Sequence, residues 1–394
     1  MPQKISVQDN KLYVPNDPII PVIEGDGVGP ELWATVKPIL EAAAQKTGRR
    51  VHFQAFPAGE VAYAKYNKHL PEETLQALKE HRVSIKGPLS TPVGGGIRSL
   101  NVFIRQALDL YACVRPISHI KGVPSPVKAP QKLNMVIFRE NTEDVYAGLE
   151  WPSGSSDAEA LAQFLRLQLN VPLAPSPALG IKPMTQKASK RLVRMAIEWA
   201  IKNKCPSVTL VHKGNIMKYT EGAFRTWGYE VAKTEFGLQT VPESEKEPSD
   251  ERIVIKDRIA DNMFMQTLLR PDEYSVIATP NLNGDYLSDA LAAQIGGLGI
   301  APGANIGDGI AVFEAIHGTA PKYTGKDFAN PSSLLLSGAL MLDYLGWEDA
   351  GVLIRKALSN VIGLGFMTGD LARQLPEATP VGTRAFGEKI LKVL

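Results

Sequence analysis

An α/β fold with a largely parallel sheet is predicted by three features of this sequence. Short apolar runs, at 19–23, 83–87, 133–139, 208–211 and 274–278, alternate with longer stretches of helical periodicity. Polar and charged residues gather where several of those runs end, at 139–146, 212–218 and 281–289, and the carboxyl ends of strands are where such folds carry their sites. The length, 394 residues, exceeds one ordinary core and predicts two domains.

The run 19–23 leads into Glu24-Gly25-Asp26-Gly27-Val28-Gly29-Pro30-Glu31 and then a helical pattern through Trp33, Val36, Ile39 and Leu40. Strand, glycine turn and helix follow, with Pro30 in the first helical turn and Pro38 predicting a kink. The glycine spacing is not GxGxxG, and Pro30 lacks the N–H that would cradle a phosphate. A tight structural turn and a ligand loop stand as equal readings. A helix at 70–79 and a strand at 83–87 then enter the loop that holds Thr91.

The stretch Gly94-Gly95-Gly96-Ile97-Arg98-Ser99-Leu100-Asn101-Val102-Phe103-Ile104-Arg105 is followed by Arg115 and Arg139. Guanidinium forks bind carboxylates bidentately, and with a hydroxyl and an amide nearby this set suits a small ligand bearing several carboxylates. From 148 to 183 the chain is Pro-rich around one amphipathic stretch at 161–169, which reads as an insertion or protruding arm. The next helix buries Leu192, Met195, Ala196, Trp199 and Ala200, leaving Lys187, Lys190, Arg191 and Arg194 as a solvated basic face.

The run 208–211 exits into His212-Lys213-Gly214-Asn215, and 274–278 into Asn281-Leu282-Asn283-Gly284-Asp285 and on to Asp289. A helix beginning near Asp285 sets Asp285 and Asp289 one turn apart on one face. With Asp261 as a third carboxylate they can hold Mg²⁺ or Mn²⁺; for the pair alone, an acidic first turn suiting the helix dipole is the plainer reading. Glycine turns at 296–303 and the run His317-Gly318-Thr319-Ala320-Pro321-Lys322-Tyr323 offer amides and a cation to phosphates. A lone histidine such as His317 is more often a hydrogen-bonded loop or core residue. Two helices, at 331–345 and 348–361, close the fold.

Composition excludes several classes of function. The 43 Lys+Arg against 41 Asp+Glu leave a net charge of +2, too balanced for a nucleic-acid or membrane partner driven by bulk charge. The polar residues 1–21 read as no secretory signal. The longest uncharged run, 290–307, carries five glycines and Pro302, which argues against a membrane span. Cys113 and Cys205 form no Cys-x-x-Cys pattern, and two buried free thiols in a reducing cytoplasm are expected.

The ordered combination of Gly25-Asp26-Gly27, Arg98-Ser99-Leu100-Asn101 with Arg105, Arg115 and Arg139, Tyr146, Lys213-Gly214-Asn215, Asn283-Gly284-Asp285 with Asp289, and His317-Gly318-Thr319-Ala320-Pro321 resembles the β-decarboxylating dehydrogenase family shared by isocitrate and isopropylmalate dehydrogenases. Within it, the prokaryotic NADP-type isocitrate branch is the nearest likeness. The resemblance implies the isocitrate/isopropylmalate dehydrogenase-like fold, which is not Rossmann. It implies a large domain from 1–110 and 296–394, a small domain from 111–143 and 186–295, and a clasp at 144–185 that interlocks two subunits of a homodimer. The implied activity is metal-dependent oxidative decarboxylation of isocitrate with NADP. NAD-dependent isocitrate or homoisocitrate oxidation, and a non-catalytic binding protein on the same fold, are the alternatives.

Residue by residue, the resemblance implies substrate contacts from Ser99, Asn101, Arg105, Arg115 and Arg139, and proton transfer by Tyr146 and Lys213. Mg²⁺ or Mn²⁺ would be held by Asp261, Asp285 and Asp289, with Lys213 and Asp261 serving the partner's cleft. Cofactor contacts are implied for Thr91, Ile300, His317, Gly318, Ala320, Lys322, Tyr323, Asn330 and Arg373, and from the partner for Asn215, Gln266 and Arg270. Lys322 and Tyr323 favour NADP, while Gly369 stands where a tyrosine often sits.

Overall fold

In the computed structural model, residues 2–8, 11–90 and 99–394 are described. One sheet of eleven strands organises them: β1 (Ile19–Ile23), β2 (His52–Ala55), β3 (Val83–Lys86), β4 (Ala112–Ser118), β5 (Asn134–Glu140), β6 (Ser207–His212), β7 (Thr240–Pro242), β8 (Ile253–Ile259), β9 (Val276–Thr279), β10 (Pro302–Gly307) and β11 (Ile310–Ala315). Their spatial order is β7-β8-β6-β9-β5-β4-β10-β11-β3-β1-β2.

Seven of the ten pairings are parallel, but β4–β5, β4–β10 and β10–β11 are antiparallel. The sheet is therefore mixed at its centre. The cause is partly local: β10 and β11 form a hairpin across Asp308-Gly309, with Gly309 at φ 67°, and a two-residue Asp-Gly loop is a strong hairpin signal. Strands β6, β9 and β11 are buried along their whole length, as their apolar runs require.

The helix Ser332–Tyr344 packs on β10 and β11, and Gly29–Lys46 and Glu348–Gly363 pack on it in turn. Its Leu334, Leu335, Ala339, Met341 and Leu342 are all buried, the pattern of a helix that is apolar on most of its circumference. Gly29–Lys46 continues through Pro38, which lies exposed. The helices Gln186–Lys202 and Glu221–Phe236 pack together beside β6. Of the expected solvated basic face, Lys187 is exposed, and the other three are also charge-paired: Arg191 forks onto Asp109 at 2.7 and 2.8 Å, Arg194 onto Glu235, and Lys190 meets Glu230 at 2.8 Å.

The expected arm is an antiparallel pair, Leu149–Trp151 with Leu179–Ile181, carrying the helix Ser156–Leu169 apart from the central sheet. It exposes Leu149, Phe164, Leu167, Leu169 and Ile181. Cys113 is buried as expected, whereas Cys205 is only half-buried. No helix among the described residues is long and apolar enough to cross a membrane.

The Gly25-Asp26-Gly27 turn is structural. Asp26 accepts hydrogen bonds from the Glu60 and Ser90 amides, both 2.8 Å. Gly27, at φ 59°, lies so close to Thr319 that a Cβ would fall 2.1 Å from its carbonyl oxygen. The turn thereby fixes the segment that begins at His317.

Candidate active site

Strands β4 and β5 set two of the arginines side by side. Cys113 lies opposite Arg139 in the antiparallel register and Arg115 is two residues beyond Cys113, so both arginines leave the same face of the sheet. The helix Leu100–Ala107 contributes Asn101 and Arg105, one turn apart, with Ser99 at its N-cap position. Thr91 and the glycine turn with Arg98 lie outside the described residues.

The three guanidiniums crowd one another. Burial, then repulsion by Arg115, lower the pKa of Arg139, with Arg105 adding to the repulsion; a guanidinium stays charged regardless. The Nε groups of Arg105 and Arg115 and Oδ1 of Asn101 are buried without a hydrogen-bond partner among the described residues. Donors buried unmet cost free energy, so a site of this kind favours an anionic ligand with several acceptors.

The helix Asn281–Gln294 faces these arginines. It starts at Asn281, four residues before the expected Asp285, because a distant carboxylate caps it: Asp144 Oδ2 accepts from the Leu282 amide at 3.0 Å. Asp285 pairs with Arg139 and accepts the Tyr146 hydroxyl at 2.5 Å, while Asp289 meets Arg115 at 3.1 Å. Arg115 also donates to Ser288. Gly284 is required here, since a Cβ would lie 2.6 Å from Cγ of Arg139.

The electrostatics separate the roles. Burial and then the hydrogen bond to Asp285 raise the pKa of Tyr146 against the pull of Arg139, so the phenol stays protonated. Burial resists ionisation of Asp285, but Arg139 and Tyr146 outweigh it and lower its pKa. The Asp289 carboxyl is pushed up, by burial first and by the neighbouring Asp285 charge, despite Arg115. Two carboxylates one turn apart that repel in this way fit a hard divalent cation bound through oxygen.

Sequence reasoning missed the buried acid behind the arginines. Glu314, on β11, receives Lys86 Nζ at 2.5 Å, Arg105 Nη2 at 2.8 Å and Asn305 Nδ2 at 2.7 Å, and Asn305 in turn accepts from Asn141 at 3.0 Å. Burial opposes its charge, but Lys86 and Arg105 win and depress its pKa. Glu314→Gln leaves two buried cations without their counter-charge. A loss of about 3–5 kcal/mol is expected, read from urea unfolding at neutral pH. Because the folded pKa is depressed, this contribution is present above the ordinary glutamate value and fades as pH falls below it. A change under about 1 kcal/mol contradicts the network's role.

A third group stands apart. Lys213 Nζ pairs with Asp261, whose pKa it lowers, and Gln266 accepts from Arg270 Nε at 3.0 Å; Asn215 and Arg270 are exposed. No side-chain hydrogen bond or ion pair among the described residues joins Lys213 or Asp261 to Asp285 or Asp289, and no cluster of three metal-type ligands forms among them. A second missed network lies between the groups. Fully buried Glu221 accepts from Lys182 Nζ at 2.7 Å, from Asn283 Nδ2 at 2.8 Å and from the Lys213 amide, and Lys182 also reaches Asp144 at 2.6 Å. Burial opposes the charge on Lys182, yet the two acids raise its pKa.

Most of the remaining expected cofactor residues gather around the end of β11. His317 has a pKa lowered by burial, its Nδ1 lies 2.9 Å from the Gly318 carbonyl, and its Nε2 is buried without a partner among the described residues. Ala320 is held left-handed at φ 43° and Gly318 is exposed. Asn330 donates to Asp370 at 3.1 Å, beside Gly299, and Ile300 is buried next to that turn. Lys322 sits 4.8 Å over the Tyr323 ring, and Arg373 is exposed and forms no ion pair among the described residues.

Comparison with known proteins identifies the family. The model of the family described as "Isocitrate/isopropylmalate dehydrogenase" matches residues 19–390. An "Isocitrate dehydrogenase [NADP]" of Archaeoglobus fulgidus is 58% identical, covering 100% of this chain and 96% of its own length. One from Haloferax volcanii is 52% identical over 99% of this chain and 96% of its own. The crystal structure of isocitrate dehydrogenase from Methylococcus capsulatus superposes with a TM-score of 0.81 at 38% identity, covering 95% of this chain and 98% of that one. The chain therefore belongs to the isocitrate/isopropylmalate dehydrogenase family.

Proposed function

We propose that this chain catalyses the oxidative decarboxylation of isocitrate to 2-oxoglutarate and CO₂ with reduction of NADP. The observation that carries the reading is the set of three clustered arginines, two of them (Arg105 and Arg115) with unmet buried Nε donors, facing a paired-aspartate helix and a protonated phenol. The relatives named above are NADP isocitrate dehydrogenases at 52–58% identity.

Arg105, Arg115 and Arg139 bind the substrate's carboxylates, and Ser99 and Asn101 hydrogen-bond the carboxylate that distinguishes isocitrate from isopropylmalate. An isopropyl group would instead need apolar neighbours there. Asp285 and Asp289, with the partner subunit's Asp261, would hold Mg²⁺ or Mn²⁺. When bound, such an ion supplies Lewis-acid polarisation of the substrate's C2 oxygen. The partner subunit's Lys213 takes the C2 hydroxyl proton, directly or through water, and NADP, once bound, would supply the acceptor for the C2 hydrogen and its electron pair. The carbon–carbon bond to the C3 carboxylate then breaks, CO₂ leaves, and its bonding electrons form an enolate that Tyr146 protonates.

Lys213, Asp261, Asn215, Gln266 and Arg270 complete the site only in a homodimer. The exposed apolar arm supports that assembly, and 144–185 serves as the clasp between subunits. The large domain, 1–110 and 296–394, carries the cofactor residues, and the small domain, 111–143 and 186–295, carries metal and proton-transfer groups. The central sheet is continuous through both.

Steady-state assay with isocitrate and Mg²⁺ should give a higher kcat/KM with NADP than with NAD. Lys322→Asp with Tyr323→Ile removes a cation and an aromatic from the proposed 2′-phosphate site and should lower the NADP/NAD ratio about tenfold or more. An unchanged ratio contradicts the assignment of that site.

A further inference from the structure

Gly369 is a glycine because of a neighbour and not because of its backbone. Its φ lies outside the left-handed region, so an L side chain could adopt it, yet a Cβ there would fall 2.5 Å from Cε2 and 2.7 Å from Cζ of Phe328. The Phe328 ring thus fills the space into which residue 369 would project. On its other contact the ring stacks with Tyr323, centroids 4.9 Å apart and planes 17° from parallel.

Phe328 does not owe this position to burial in the core, since it is 38% exposed. Its backbone is held on both sides by the start of the helix Thr383–Val393. Asp327 accepts from the Arg384 amide at 2.8 Å through its side chain and from the Thr383 amide at 3.2 Å through its carbonyl, while the Ala329 carbonyl accepts the Thr383 hydroxyl at 2.6 Å. An exposed ring on so firmly tethered a loop joins two segments: the one carrying Lys322 and Tyr323 and the one carrying Arg373. Nothing in the mechanism above uses it.

We propose that Phe328 is a cofactor-positioning residue: its ring, seated over Gly369, holds Tyr323 in the wall that receives the 2′-phosphate of NADP. This rests on the NADP reading of the site. The ring acts through Tyr323 and through the spacing of the two segments, with no contact to the reacting atoms. Residues 328 and 369 form a reciprocal pair, in which only one may carry a large side chain.

Calorimetric titration of NADP and of NAD into the full-length protein tests this without depending on turnover. Phe328→Ala should weaken NADP about tenfold, the scale of one lost aromatic pair, and NAD by less than about threefold. Gly369→Phe alone forces two rings into one space and should weaken NADP at least as much. The double variant, Phe328→Ala with Gly369→Phe, returns one ring to that space and should bring NADP affinity to within about threefold of the parent. An unchanged NADP affinity in Phe328→Ala, or equal weakening of NADP and NAD, overturns the proposal. A parent that binds NADP but does not oxidise isocitrate overturns the functional reading and leaves this one standing; a parent that binds no NADP overturns both.

Discussion

Tyr146→Phe should lower kcat with isocitrate by about 10²–10⁴-fold, the usual contribution of a positioned acid. The ring lies 4.9 Å from the Arg139 guanidinium and the substitution keeps that contact, so KM should stay within about threefold of the parent. Only the hydroxyl that donates to Asp285 is removed. The raised pKa of the phenol places its deprotonation above the ordinary tyrosine range, so any alkaline loss of the parent's kcat attributable to Tyr146 should begin later than for an ordinary tyrosine. A variant retaining more than about one fifth of the parent's kcat contradicts the acid role.

The second large effect concerns the proposed sharing of the site between two subunits. Tyr146→Phe and Lys213→Met homodimers should each be nearly inactive, because each lacks one proton-transfer group in both clefts. In a purified heterodimer of the two variants, one cleft has both defects and the other has neither, so about half of the parent's turnover per dimer should return. This follows from the proposed sharing of the site: within one chain Lys213 and Asp261 pair with each other, whereas Asp285 and Asp289 pair with Arg139 and Arg115. A heterodimer as inactive as its parents would mean that both groups serve the same subunit's cleft.

The fold was legible where a signal is local. The runs that became β1, β3, β6 and β9, the helix after the Gly25-Asp26-Gly27 turn and the arm at 148–183 all carry periodicity or turn residues that act over a few positions. Asp285 and Asp289 were readable for the same reason, since spacing alone puts them on one helix face. The start of that helix was not, because its cap comes from Asp144, 138 residues away.

Glu314 escaped for a related reason. Its meaning depends on Lys86, Arg105 and Asn305, which only the sheet brings to it. A charge inside the apolar run Ile310–Ala315 was the available signal, because a carboxylate in a fully buried strand needs partners. The Lys182, Asp144 and Glu221 network has no local signature, as its three members lie on three segments far apart in sequence. The antiparallel centre of the sheet could have been anticipated from Asp308-Gly309.

The most direct test of the account is a single time course with the purified protein, Mg²⁺ and NADP, in which NADPH and 2-oxoglutarate are measured with isocitrate or with isopropylmalate as substrate. The account predicts equal amounts of NADPH and 2-oxoglutarate from isocitrate and little NADPH from isopropylmalate. Turnover of isopropylmalate with isocitrate inert would contradict it.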